Sequence, residues 1–236
     1  MGRYEAIHNE TDMVKTYMLF ADREDTTFTV TADHIIGYDN IKSYFERMTG
    51  QMGGAGKRKG TMFEHPLSTP IIEVAADGKT AKATWASFGE ETMGAMGGPP
   101  PGSAPAGAPG DAPGSVLPGG PPGGAPGSDS SENLVGMWCY GKYANDFIKV
   151  NGEWKIWHLQ WIRFFRTPFD TSWVDQPIEE IYGQFYQNGK IIEKEGLYFK
   201  PYYTGKVSES IPAAPKPYET WTKEEEDWWL RDTIDP

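Results

Sequence analysis

Apolar and polar positions repeat with two different periods along this chain. Met13, Tyr17 and Phe20 recur at helical spacing. Ile41, Tyr44, Phe45 and Met48 stand at i, i+3, i+4 and i+7, which predicts a helix over 40–48 with Asp39 as its N-cap. Residues 26–30 and 34–38 read as two short strands, and the glycine-rich residues 50–60 as a loop. From residue 61 the period becomes two. Segments 61–75 and 80–88 flank Asp77-Gly78, and segments 134–150 and 153–165 flank Asn151-Gly152. Both dipeptides mark tight hairpin turns. Each arm of the second hairpin has about fifteen residues, or about 50 Å at roughly 3.4 Å per residue. A strand that long has to bend, and strong curvature points to a sheet wrapped around something.

Two segments depart from this patterning. Residues 94–127 contain 12 glycines and 10 prolines, with Asp111 the sole charge. They lack the strict three-residue period of collagen and too few apolar side chains are present to offset ordering entropy. The stretch, taken through residue 133, reads as a disordered insertion in a sheet connection, either an inert spacer or a lid. Residues 167–236 have few periodic runs and many aromatics and prolines, and read as a strap with an acidic tail, packing on the domain or on a partner subunit. The tail after Val207 carries eight acids against three bases. Residues 223–229 predict a short terminal helix, and its paired Trp228 and Trp229 predict docking on the body or on a second subunit.

Composition narrows the function classes. The net charge of −11 makes the chain a poor partner for phosphate backbones, so nucleic-acid binding is set aside. No apolar run reaches membrane-spanning length, and the start at Met1 has no signal-like apolar region. The expectation is a soluble cytoplasmic protein. A single cysteine, Cys139, excludes an internal disulfide framework and a cysteine-based zinc site. No His-x-His or His-Glu-x-x-His occurs, so no metal is expected. Residues 50–60 fail as a phosphate loop, with Gln51 and Arg58 where Gly and Ser or Thr are needed. No nucleophile-elbow Gly-x-Ser-x-Gly is present.

The order helix, two short strands, helix and long antiparallel strands resembles the nuclear transport factor 2-like superfamily, and more closely its SnoaL-like branch. Three motifs carry the resemblance: Gly37-Tyr38-Asp39-Asn40-Ile41-Lys42-Ser43-Tyr44-Phe45; His65-Pro66-Leu67-Ser68-Thr69-Pro70-Ile71-Ile72-Glu73-Val74 followed by Asp77-Gly78-Lys79; and Gly141-Lys142-Tyr143-Ala144-Asn145-Asp146-Phe147 followed by Gly152-Glu153-Trp154-Lys155-Ile156. The match covers residues 1–166. It implies a cone-shaped α+β fold, with a curved, mostly antiparallel sheet wrapped around N-terminal helices and an irregular C-terminal extension. The superfamily hosts dehydratases, isomerases, cyclases, decarboxylases and plain binding domains. Relatives usually carry a long helix upstream of the tyrosine that Tyr4 resembles, and the Gly/Pro-rich insertion is not a family feature.

Only histidine titrates near neutral pH without a large shift, so His8, His34, His65 and His158 are the possible general acids or bases. His65 shares a strand face with Phe63, Leu67 and Thr69; the resemblance implies a catalytic histidine at this position, the alternative being a core histidine. The resemblance also implies a hydroxyl donor at Tyr4 that could polarise a carbonyl or oxyanion. His8 lies one turn on, and Asn9 stands near where many relatives carry an acid. His158 and Gln160 share a face with Trp154, Ile156 and Ile162, as a pocket wall or as a sheet-packing, dimer-forming surface. Asp146 reads as a pocket base or as an interface residue. Tyr17, Trp85, Trp138, Tyr140, Trp157 and Trp161 either line a cavity for a flat apolar ligand or pack the core. Together these readings predict a cofactor-independent acid–base lyase of dehydratase or carbon–carbon lyase type. Its substrate is a small aromatic or polycyclic apolar molecule, its catalytic residues His65, Tyr4, His158 and Asp146. The alternatives are a ketosteroid-isomerase-like enzyme with Asp146 as base, or a non-catalytic binding or assembly module. A homodimer or higher homo-oligomer is expected.

Overall fold

The computed structural model describes residues 1–9, 13–30, 33–51, 60, 62–94, 134–176, 186–187, 190–191 and most of 201–230. The Gly/Pro-rich stretch predicted to be disordered lies, from residue 95 to 133, outside the described residues.

Helix α1 (Gly2–Asn9) and a 3₁₀ helix (Met13–Leu19) lead into β1 (Thr27–Val30), β2 (Asp33–Ile36) and helix α2 (Tyr38–Gln51). Strands β3 (Met62–Glu64), β4 (Ile71–Val74), β5 (Thr80–Gly94), β6 (Leu134–Val150) and β7 (Glu153–Pro168) follow. All seven strands join one sheet in the order β2-β1-β7-β6-β5-β3, with β4 also on β5. Every pairing is antiparallel except that of β1 with β7. This is the α+β cone that the patterning and the resemblance predict. No helix among the described residues is long and apolar enough to cross a membrane.

Two register shifts between β6 and β7, at Tyr140/Gly141 and Asp146/Phe147, bend the long hairpin. Its concave side holds the main core. Phe20, Phe28, Ile41, Tyr44 and Phe45 pack there against Ala83, Trp85, Tyr143, Leu159 and Trp161. Gly141 permits this curvature, because a Cβ there would lie 2.5 Å from the Trp161 ring and 2.6 Å from the Ile162 carbonyl oxygen.

Local structure corrects several expectations. The N-cap of α2 is Gly37, whose carbonyl accepts from Ile41 and whose φ of 90° suits glycine, and Asp39 falls in the first turn. Residues 13–19 form a 3₁₀ helix, not an α-helix. The strand predicted over 61–75 is two strands, because Pro66 and Pro70 lack the N–H that a continuous ladder needs. The predicted helix over 223–229 is two short 3₁₀ turns, Lys223–Glu225 and Trp228–Leu230.

The convex side of the sheet carries residues 211–230. Ile211, Trp228 and Trp229 bury against Ala144 and Ile162. Ala76 and Asp77 donate to the carbonyls of Tyr218 and Glu219 at 3.0 and 3.1 Å. Lys82, 2% exposed on this side, pairs with Glu225 and lies 4.2 Å from the Tyr218 ring centroid.

Candidate active site

Because β5 runs against β6 without a bulge, its odd positions from Ala83 to Glu91 face the concave side and its even positions face outward. His65 sits one residue beyond β3, over Gly89. A Cβ on Gly89 would come within 2.5 Å of the His65 ring atoms Cε1 and Nδ1, so glycine makes room for the imidazole. His65 Nε2 lies 3.0 Å from Glu91 Oε1, and Arg166 Nη2 lies 2.5 Å from Glu91 Oε2. All three residues are buried. The backbone N–H of His65 donates to Asn9 Oδ1 at 3.2 Å, and Asn9 Nδ2 donates to Glu64 at 3.1 Å. Asn9 therefore ties α1 to the loop bearing His65.

The end of α1 completes the cluster. The His8 ring stacks on His65, with centroids 5.4 Å apart and planes within 6°. Tyr4 approaches His8 edge-on at 5.9 Å and Tyr143 at 6.1 Å. Its hydroxyl is in hydrogen-bond contact with that of Tyr143. Trp161 closes the side, 4.4 Å from Tyr143 and 6.4 Å from His65 by ring centroid.

Electrostatics give these groups different characters. Burial resists ionisation of Glu91, but the Arg166 guanidinium and then His65 outweigh it and hold the carboxyl well below its usual range. Burial, reinforced by His65, pushes His8 down to about 4. His8 is therefore neutral near pH 7, and its buried Nδ1 has no hydrogen-bond partner among the described residues. Burial raises Tyr4 and Tyr143 above the ordinary phenol range, so both hydroxyls keep their protons. Burial, then Glu91, pushes the Cys139 thiol up to about 12.

His65, Glu91 and Cys139 bring one ligand-type atom each within 4.8 Å of one another. The guanidinium already seated on Glu91 and the protonated thiol both oppose a metal cation there.

The predicted site residues thus divide. Tyr4, His8, His65 and Trp85 lie on the concave side. Tyr17 packs at the edge of that core, edge-on to Tyr38 at 5.9 Å with Lys42 over its ring. Asp146, His158 and Gln160 lie on the convex side, with Trp138 and Tyr140 further along it beside Phe88. His158 and Ile156 do not share a face. The register shift at Asp146/Phe147 inserts Trp157 between them, so counting in twos across it fails. Asp146 Oδ2 is 2.7 Å from His158 Nδ1. The indole N–H groups of Trp221 and Trp228 donate to Asp146 at 3.2 and 2.8 Å.

Glu91, Tyr143 and Arg166 escaped the sequence reading. Ending the strand at Phe88 left Glu91 outside it, whereas alternation continued from Trp85 through Gly89 places Glu91 beside His65.

The chain belongs to the SnoaL-like domain family, whose description matches residues 3–160. No curated protein matches it. Among solved structures it is similar to a candidate scytalone dehydratase from Novosphingobium aromaticivorans, at 14% identity over 73% of this chain and 84% of that one, with a TM-score of 0.45. It is also similar to an NTF2-like superfamily protein from Salmonella enterica, at 15% identity over 72% and 90% of the chains and a TM-score of 0.43. A candidate aromatic ring hydroxylase from Novosphingobium aromaticivorans matches at 11% identity over 70% and 85%, with a TM-score of 0.42. Likeness at this level carries no residue roles.

Proposed function

We propose that the chain is a cytoplasmic, cofactor-independent acid–base lyase acting on a small aromatic or polycyclic ketone or phenol inside the cone. One observation carries this reading: His65 bonds a buried carboxylate, Glu91, that Arg166 keeps ionised. A carboxylate on Nε2 fixes that nitrogen as the donor and leaves Nδ1, above Gly89, as the proton acceptor. His65 then removes a proton next to the substrate carbonyl. The electron pair moves into the carbonyl oxygen, and the Tyr4 hydroxyl, backed by Tyr143, stabilises the resulting oxyanion. Collapse of that oxyanion breaks the bond to a β-hydroxyl, which leaves as water with the proton His65 held. Carbon–carbon cleavage of retro-aldol type uses the same groups. Asp146, with three donors on the convex side, has no part in this scheme.

The test is a thermal-shift screen with phenols, enones and steroid-like ketones, followed by turnover of whichever binds. The expected result is a shift from one ring class that His65→Ala abolishes together with turnover. Turnover that survives in a folded His65→Ala protein overturns the assignment. No shift from any class in a protein that melts cooperatively favours the assembly-module reading. A homodimer through the convex face would use the half around Trp138 and Phe169, the latter 70% exposed, because residues 211–230 cover the other half. Light scattering reads that mass.

A further inference from the structure

Two polar atoms on the concave side are buried and have no hydrogen-bond partner among the described residues, Nδ1 of His8 and Oγ of Ser87. The lyase scheme above uses neither. His8 comes from α1, with its ring stacked on His65. Ser87 comes from β5, at one of the odd positions that face the concave side, and is 1% exposed. It stands two residues before Gly89, over which the His65 ring sits, so about 7 Å of strand separates it from that seat. Across the β5–β6 pairing it lies opposite Gly141, over which the Trp161 ring lies, and that ring also flanks His65 at 6.4 Å.

Folding gains nothing from these two atoms. A polar atom buried without a partner loses its water and receives no bond in return, and an apolar group of similar shape in its place is neutral or stabilising. A local cost of this kind is expected where a ligand supplies the missing partner. The chemistry of the pair says which ligand group fits. Burial, then His65, keeps His8 neutral near pH 7, so its Nδ1 is a donor in one tautomer and an acceptor in the other. The Ser87 hydroxyl both donates and accepts. A ligand hydroxyl does both as well and matches the pair in either tautomer. A carbonyl or ether oxygen brings no donor, and an ammonium brings no acceptor. The charge of Glu91, which reaches His8, opposes a carboxylate.

We infer that His8 and Ser87 recognise a hydroxyl group of the substrate and so set its specificity. The consequence for the reaction rests on the lyase reading. His8 and Ser87 hold the hydroxyl while Tyr4 holds the carbonyl oxygen. In a β-hydroxy ketone the carbon between those two oxygens carries the proton that His65 removes. Neither His8 nor Ser87 gains or loses a proton in that step.

The test uses phenol as the probe, with anisole, which lacks the donor, as its control. In the full chain labelled with carbon-13, each of the four histidines gives one Cε1–H signal, assigned from single His→Gln variants. The expected result is saturable movement of the His8 and His65 signals with phenol, His34 and His158 remaining still, and binding of anisole weaker by about fivefold. Ser87→Ala and His8→Phe, which keeps a ring but no nitrogen, should each weaken phenol by about fivefold. Ser87→Ala should also leave the melting temperature of the free protein unchanged or raised, which a structural hydroxyl would not allow. If His8→Phe does not melt cooperatively, Ser87→Ala alone decides. The inference is overturned by absence of saturable movement at about 20 mM phenol, well above a millimolar dissociation constant. Equal binding of anisole, unchanged phenol affinity in Ser87→Ala, or a lowered melting temperature in that variant also overturns it. Turnover is not read, so a lyase reading lost through His65→Ala leaves this result standing, and failure here leaves that reading standing.

Discussion

Two histidine–carboxylate pairs occupy opposite faces of one sheet, His65 with Glu91 and His158 with Asp146, at 3.0 and 2.7 Å. They differ in what else the carboxylate touches. Glu91 faces a guanidinium, with a second histidine stacked on the first and two tyrosine hydroxyls beyond it. That arrangement keeps charge and movable protons together. Asp146 instead accepts from two indole N–H groups that cannot titrate, both from the C-terminal segment. There the carboxylate is an anchor for Trp221 and Trp228. A His–acid pair in a sequence is therefore ambiguous until the carboxylate's remaining partners are known.

The sharpest way to break this comparison is kinetic. On a compound that wild type turns over, His65→Ala should lower turnover by roughly 10²–10⁴-fold. His158→Ala should leave it within about threefold. Equal losses would mean that the two faces act together. The second contrast is in stability. Asp146→Ala leaves His158, the buried Trp228 indole and the half-buried Trp221 indole without their acceptor, and urea unfolding should show a loss of about 3–5 kcal/mol. Protease cleavage between residues 211 and 230 should accelerate with it. A loss below about 1 kcal/mol, the size of a surface contact, would remove the anchoring role.

A smaller effect tests the seat of His65. Gly89→Ala places a Cβ where the imidazole lies. It should cost about 1–3 kcal/mol by overpacking and lower turnover in a protein that still folds, as steady-state kinetics and melting together will show. Unchanged kinetics would mean that the ring is free to shift.

The smallest contrast is in pH dependence. His8 is held near 4 against an ordinary 6.5. Between these values the unfolded chain takes up a proton that the folded chain refuses, so stability should fall as pH drops from 6.5 towards 4 and should be flat above 6.5 with respect to this group. Glu91, depressed in the fold, adds a further loss at lower pH. Melting curves of wild type and His8→Gln, compared across this range, should diverge as the pH falls. Parallel curves would show that His8 is solvated.

Much of the fold was legible because its signals are local. Asp77-Gly78 and Asn151-Gly152 mark the two hairpins, and α2 shows its face at helical spacing. The site was legible only in part. Tyr4, His8 and His65 come together on the concave side, but the carboxylate beside His65 is 26 residues away, across a strand pairing that no local period reveals. Asp146, from the hairpin motif, and His158, from a face counted in twos, both read as pocket residues, yet they lie across the sheet from His65. The bulge at Asp146/Phe147, which depends on tertiary packing, decides the face that His158 takes. The C-terminal segment has no periodic pattern, since its order comes from contacts with Asp146, Lys82 and Ile162 that lie far away in the chain.

The central claim is that Glu91 makes His65 a base. The most direct measurement is kcat and KM of Glu91→Gln beside wild type, on the compound that binds the cone, with folding checked by cooperative melting and Glu91→Asp as the conservative companion. The account predicts a fall in kcat of roughly 10²-fold or more, little change in KM, and partial recovery in Glu91→Asp. A folded Glu91→Gln protein with the kcat of wild type would contradict it.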